Sequence, residues 1–368
     1  MVTLGELFRR YGPQYRTQFA DRMSVEQHQA MRAIEQCRTE ALGGQVYTCP
    51  ACGTMRYSYH SCRNRHCPTC QQDATQTWLA QQQALLLPVP YFLVTFTLPA
   101  QLRALAQQHP RTFYTLLFRT SAAALQQLAQ DPRFIGGQLG MIGVLQTWTR
   151  DLRFHPHVHY LVPAIALTAD GTFRRPRNPA FLVPVQALAV LFRAKLRAAL
   201  MQTAWYRQVA HATWSQAWVV DCRAVGSGAA ALKYLAPYIF RVALSNNRIV
   251  SIEDDRVSFR YRDGDTKQMR TCTLPALAFI GRFLQHVLPK GFVKVRYYGL
   301  FRLGNRQVLA QARVVLGPSV CAGTASRDEA AAGAVPPPTV MLYCPIFGQP
   351  MQLVQTILPQ SRAPPAFG

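Results

Sequence analysis

The apolar and polar positions of this chain divide it into stretches that read as helix and stretches that read as strand. Residues 1 to about 44 read as helical. Ser24 caps a segment from 25 to about 42, with Gln27 at the capping-box position, and Gly43-Gly44 stops it. After a cysteine-rich stretch at 46–72, a helix is expected over about 74–86, ending before Pro88 and Pro90. Residues 91–98 are rich in aromatic and β-branched side chains and predict a strand. Helices follow at about 100–108 and 111–130, then strands at 141–148 and from Phe154 onward. Asp170-Gly171 marks a turn. A helix is expected from 185 to about 210, a strand at 218–224, and Gly226-Ser227-Gly228 breaks the chain before a further helix. Segments 257–261 and 269–274 flank Asp263-Gly264 as a hairpin. From about 317 to 338 the chain is rich in Ala, Gly, Ser and Pro and reads as a linker. The order of elements predicts an α+β fold with an antiparallel sheet, extending from 85 to about 250.

Composition then narrows the partners. The 368 residues suffice for a full core and more than one folding unit. Lys and Arg number 40 against 17 acidic residues, a formal net charge of +23. The excess is spread through the whole chain and points to a polyanion, with nucleic acid ahead of an anionic membrane surface. No apolar run reaches membrane-spanning length, and residues 1–10 lack the apolar core of a signal peptide. A cytoplasmic protein is expected.

Five of the ten cysteines, Cys49, Cys52, Cys62, Cys67 and Cys70, fall within 22 residues. In a reducing compartment such clustering reads as metal ligation. Cys49-Pro50-Ala51-Cys52 and Cys67-Pro68-Thr69-Cys70 are two C-x-x-C turns separated by 14 residues. Together they offer four thiolates to a tetrahedral structural zinc in a ribbon. Cys62, His60 and His66 are further donors that could replace one of the four. A redox-active C-x-x-C is the alternative. Arg56, Arg63 and Arg65 in the same loop suit phosphate contacts.

Phe154-His155-Pro156-His157-Val158-His159 places three histidines at alternate positions. In a strand they share one face, about 7 Å apart, and can grip a divalent ion with coordination positions left open for chemistry. With no thiolates nearby, Mg²⁺ or Mn²⁺ is expected. Gln146, Asp151 and His155 are candidates for the third ligand. Downstream, Tyr234 and Tyr238 lie four apart, so one helix face presents both hydroxyls. A tyrosine can act as a covalent nucleophile, although a pair at this spacing also suits a packed core. Lys233, Arg241 and Arg248 add positive charge around it.

Four motifs in order give the chain a specific likeness. They are Ser61-Cys62-Arg63-Asn64-Arg65-His66-Cys67-Pro68-Thr69-Cys70, His155-Pro156-His157-Val158-His159, Lys233-Tyr234-Leu235-Ala236-Pro237-Tyr238 with Ser245-Asn246-Asn247-Arg248-Ile249, and 283–292. Over about 25–310 the chain resembles the rolling-circle transposases of the two-tyrosine HUH superfamily, typified by insertion sequence ninety-one.

The resemblance implies an antiparallel-sheet HUH endonuclease domain flanked by helices and preceded by a small zinc ribbon. Its parts would be a helical segment at 1–45, the ribbon at 46–72, the nuclease at 73–250, a DNA-associated region at 251–316, and a linker and tail at 317–368. His157 and His159 would be the metal pair, and Tyr234 and Tyr238 the nucleophiles. They would nick and rejoin single-stranded DNA at mobile-element ends. No phosphate-binding G-x-x-x-x-G-K-[ST] loop is present, so a host helicase is the expected partner. A rolling-circle replication initiator or relaxase is the near alternative, and a non-catalytic zinc-ribbon regulator the distant one. Two departures stand out. Pro237 is expected to kink the helix before Tyr238. The tail, Cys344-Pro345-Ile346-Phe347-Gly348, lacks a second cysteine and is not expected to bind metal.

Overall fold

Thr3 caps α1 (Leu4–Phe19) by accepting from the Glu6 amide, and Ser24 and Gln27 form the expected capping box on α2 (Val25–Gln36). This computed structural model describes residues 3–233, 243–264, 266–317 and 341–360, with backbone alone at 72–76. The second helix stops at Gln36, several residues short of the expected end. Cys37 is extended, Arg38 has a φ of 57°, and the Arg38 amide donates to the His60 carbonyl at 3.1 Å. The chain leaves the helix early because Cys37 turns toward other cysteines.

The chain continues through β1 (Gly44–Thr48), β2 (Met55–Tyr59), α3 (Gln71–Gln83), β3 (Tyr91–Thr97), α4 (Arg103–Gln108) and α5 (Pro110–Ala129). Next come β4 (Gln138–Leu139), β5 (Met141–Trp148), β6 (Phe154–Pro163), β7 (Ala166–Leu167), β8 (Phe173–Arg174), α6 (Val185–Met201), α7 (Ala212–Ser215) and β9 (Val220–Ala224). The last elements are β10 (Ile249–Glu253), β11 (Arg256–Arg262), β12 (Met269–Pro275), α8 (Ala276–Leu284), β13 (Val295–Tyr298), α9 (Arg306–Leu316) and β14 (Gln352–Ile357). The helix expected to reach about 210 ends at Met201, where Thr203 turns extended and a short 3₁₀ turn follows at Ala204–Gln208.

The fold is α+β. Its centre is a five-stranded sheet ordered β13-β5-β6-β3-β9, antiparallel at every pairing. Both faces are covered, which is why β5 is buried along its whole length. On one face Phe96, Val158 and Tyr160 pack against Phe118 of α5 and Phe192 of α6. On the other, Leu93, Val144 and Leu161 pack with Trp78 of α3 and with Ala231, Leu232, Leu300 and Leu309. Gly143 permits the close pass of β5 over β6, because a Cβ there would lie 2.7 Å from the Tyr160 ring. The edge strand β13 comes from the region read as C-terminal and DNA-associated, so the central sheet draws on residues beyond 250.

A second body forms where α1 and α2 pack on α8 and the β10-β11-β12 sheet through Phe8, Met31, Phe259, Phe279 and Phe283. The hairpin expected around Asp263-Gly264 is the β11-β12 pair. A third sheet, β14-β1-β2, joins the tail to the cysteine-rich ribbon.

Candidate functional site

Strand alternation in β6 puts His155, His157 and His159 on one face and Val158 and Tyr160 on the other. The rings of His155 and His157 are 5.3 Å apart, and those of His157 and His159 are 4.8 Å apart and nearly perpendicular. Register places Thr97 and Gln146 on either side of His157, and Thr95 and Val144 on either side of His159.

Hydrogen bonds set the chemistry of each ring. His157 Nδ1 lies 2.6 Å from the His155 carbonyl. A carbonyl only accepts, so Nδ1 carries the proton and Nε2 is the ring's basic nitrogen. His159 Nδ1 meets the Thr95 hydroxyl at 2.9 Å. His155 differs, because Arg103 donates to its Nδ1 at 2.7 Å. That contact occupies the one lone pair a neutral imidazole offers.

Of the three candidate third ligands, Asp151 accepts from Thr149 and pairs with Arg153 at 2.7 Å. Gln146 gives its amide proton to the Trp148 carbonyl at 3.1 Å, while its Oε1 is buried without a partner. A buried acceptor left unpaired costs free energy, and here it stands directly across the sheet from His157. Two imidazoles and one amide oxygen make a donor set for a divalent ion.

Burial drives the imidazoles toward neutrality. It takes His157 down to about 4 and His159 well below the ordinary range; His155 also falls to about 4, with the charges of Arg103 and Arg153 adding to burial. Neutral imidazole is the ligating form.

Tyr234, Pro237 and Tyr238 lie outside the described residues, as does Arg241. Helical backbone begins at 229, and Ala231 and Leu232 are buried with Leu93, Val144 and Leu161. Residues 229–233 therefore pack on the sheet face that carries the histidines.

The structure redistributes the cysteines. Cys49 and Cys52 do not meet Cys67 and Cys70. The Sγ atoms of Cys37, Cys62, Cys67 and Cys70 lie within 4.8 Å of one another, and those of Cys49, Cys52 and Cys344 form a separate group on the same criterion. The single site expected from the two C-x-x-C pairs is corrected to two thiol clusters. Two hairpin-like turns so close in sequence were expected to face each other. Instead β1 pairs with β14 on one side, which brings Cys344 to the first turn, while the early end of α2 brings Cys37 to the second. The tail, not expected to bind metal, thus brings the Cys344 thiol to Cys49 and Cys52.

In the first cluster Cys37 lies 3.4 Å from Cys70 and 3.6 Å from Cys67, and Cys62 lies 3.5 Å from Cys70. Zinc–sulfur bonds of about 2.3 Å place tetrahedral thiolates about 3.8 Å apart, so these four fit one zinc. Contact with Cys62 pulls the Cys37 thiol down and pushes the Cys62 thiol up. A cation that takes all four as thiolates relieves this crowding. His60 is exposed and bonds the Leu42 carbonyl, and His66 is buried apart from the thiols.

Sequence reasoning missed a cationic cavity of about 350 Å³ lined by Arg150, Arg248, Arg260 and Arg262 beside Trp148 and Tyr261. Only Arg248 had been noted, from its place near the tyrosines. Arg260 and Arg262 share β11 while Arg150 follows β5, and only the folded chain brings them to Arg248.

Residues 7–98 match a family described as a transposase zinc-binding domain, and residues 140–308 match one described as a putative transposase. A putative transposase of Sinorhizobium fredii is 43% identical over 343 residues, covering 86% of this chain and 85% of the relative. The transposase for insertion sequence element IS801 of Pseudomonas savastanoi pv. phaseolicola is 29% identical over 286 residues, covering 73% of this chain and 68% of the relative. No solved structure matches the chain. These matches define a transposase with an N-terminal zinc-binding domain. The chain belongs to the family typified by insertion sequence ninety-one.

Proposed function

We propose that the protein nicks and rejoins single-stranded DNA at the ends of a mobile element through a 5′-phosphotyrosine. The observation that carries this reading is the neutral pair His157 and His159, with the His157 proton held on Nδ1, beside the unpartnered Gln146 Oε1, on the sheet face against which Ala231 and Leu232 pack just before the tyrosine segment. His157 and His159 would hold a divalent ion, with Gln146 Oε1 as third donor. When bound, that ion polarises the scissile phosphate and stabilises the departing oxygen.

The hydroxyl of Tyr234 or Tyr238 loses its proton and forms the new P–O bond. The 3′-oxygen leaves and takes up a proton, and the 5′-phosphate stays on the protein as an ester. Attack by a target 3′-hydroxyl reverses the exchange, so rejoining needs no ATP. Two tyrosines serve two strands in succession. Arg150, Arg260 and Arg262 would bind backbone phosphates, and His155 is held by Arg103 outside the ligand set. A host helicase would supply single strands. Among the described residues no helix is long and apolar enough to cross a membrane.

The test is a denaturation-resistant band formed from labelled single-stranded element ends in Mn²⁺ or Mg²⁺. Tyr234→Phe and Tyr238→Phe together should abolish it with the fold intact. A band that persists in the double variant places the nucleophile elsewhere, and binding with no adduct in the unmodified protein favours a regulator.

A further inference from the structure

The second thiol cluster ties the two ends of the chain together. In the turn between β1 and β2, the Gly53 amide donates to the Cys49 carbonyl at 2.9 Å, and the Cys49 amide donates to the Thr54 carbonyl at 3.0 Å. Gly53 closes the turn with a φ of 69°. The tail repeats these bonds. The Gly348 amide donates to the Cys344 carbonyl at 2.8 Å, the Cys344 amide donates to the Gln349 carbonyl at 2.8 Å, and Gly348 has a φ of 65°. Both turns are Cys-Pro-x-x-Gly, and both glycines occupy the left-handed region that other residues avoid. In this alignment Phe347 stands where Cys52 stands in the first turn, and its ring is exposed.

Cys52 and Cys344 Sγ lie 3.6 Å apart, and Cys49 completes a triangle within 4.8 Å. No fourth His, Cys, Asp or Glu among the described residues joins them at that spacing. Apolar burial does little to hold the tail here. Leu353 and Val354 of β14 are each 55% exposed, and the buried cluster consists of Cys49, Cys344 and Met351. A body this small needs another fastening.

We propose that Cys49, Cys52 and Cys344 bind a second zinc, separate from the zinc of Cys37, Cys62, Cys67 and Cys70. Its fourth position is open to water or an exchangeable donor. This zinc clamps the C-terminal strand to the N-terminal ribbon, and Phe347 is what keeps the site from four-thiolate coordination.

Elemental analysis of the full-length protein tests this. Two zinc per chain are expected, one of them released first to a colorimetric chelator. Cys344→Ser should lose one zinc and leave the slowly released one. Phe347→Cys should keep two and slow the release of the labile one, and in the cobalt-substituted protein it should strengthen thiolate-to-metal charge-transfer absorption. One zinc in the unmodified protein overturns the proposal, as do two retained in Cys344→Ser or a Cys52–Cys344 disulfide. If a single zinc disappears with Cys37→Ser, the second site falls while the family's zinc-binding domain stands.

Discussion

The low proton affinity of the buried histidines has a measurable consequence for metal binding. A protonated imidazole cannot ligate, so metal competes with protons at each ring. At pH 5.5 a pair of ordinary imidazoles is mostly protonated, and would lose roughly a hundredfold of its metal affinity relative to pH 7.5. His157 is held down to about 4 by burial and His159 lies well below the ordinary range. At about 4, His157 is protonated only to about 3% at pH 5.5. The expected change in Mn²⁺ affinity between the two pH values is therefore below about twofold. Electron paramagnetic resonance of free Mn²⁺ reads this directly, with His157→Ala as the blank. A loss approaching a hundredfold would refute the argument. The same depression has the opposite sense for folding. The unfolded chain binds the proton more tightly, so this contribution to stability is complete above about pH 6.5 and is lost as pH falls toward 4. For His157 alone the loss is about 3 kcal/mol.

Other outcomes follow from particular contacts. Cys37→Ser should release the ribbon zinc and loosen α1 and α2, since a structural zinc contributes about 10–16 kcal/mol against a typical domain stability of about 5–15 kcal/mol; Cys222→Ser, away from both clusters, should leave the zinc content unchanged. Gly143→Ala forces a Cβ to 2.7 Å from a Tyr160 ring whose hydroxyl is tied to Ser121 at 2.8 Å. It should cost about 1–3 kcal/mol in urea unfolding. With a net charge of +23, DNA affinity should fall about a thousandfold between 50 and 200 mM salt if about six phosphates are neutralised. A flat titration would count against a nucleic-acid function.

What could be read from the sequence was whatever depends on near neighbours. The capping box of α2 needs only Ser24 and Gln27. The shared face of His155, His157 and His159 follows from a period of two, and β5 from a nearly continuous apolar run. The knuckle turns follow from Cys, Pro and Gly at fixed offsets. Which thiols meet was a different kind of question. Ten cysteines are chemically equivalent in a sequence, and the two obvious pairs were matched to each other for want of anything else. The path of the chain decided otherwise, by ending α2 at Gln36 and by laying β14 beside β1 across some 300 residues. Tertiary structure likewise separates Gln146 from Asp151 and His155. All three were near in sequence, but Arg103 claims His155, Arg153 claims Asp151, and only the pairing of β5 with β6 puts an unpartnered amide oxygen across from His157. Local periodicity is written into consecutive residues, whereas the partner of a thiol or an amide is set by segments that meet only when the chain is folded.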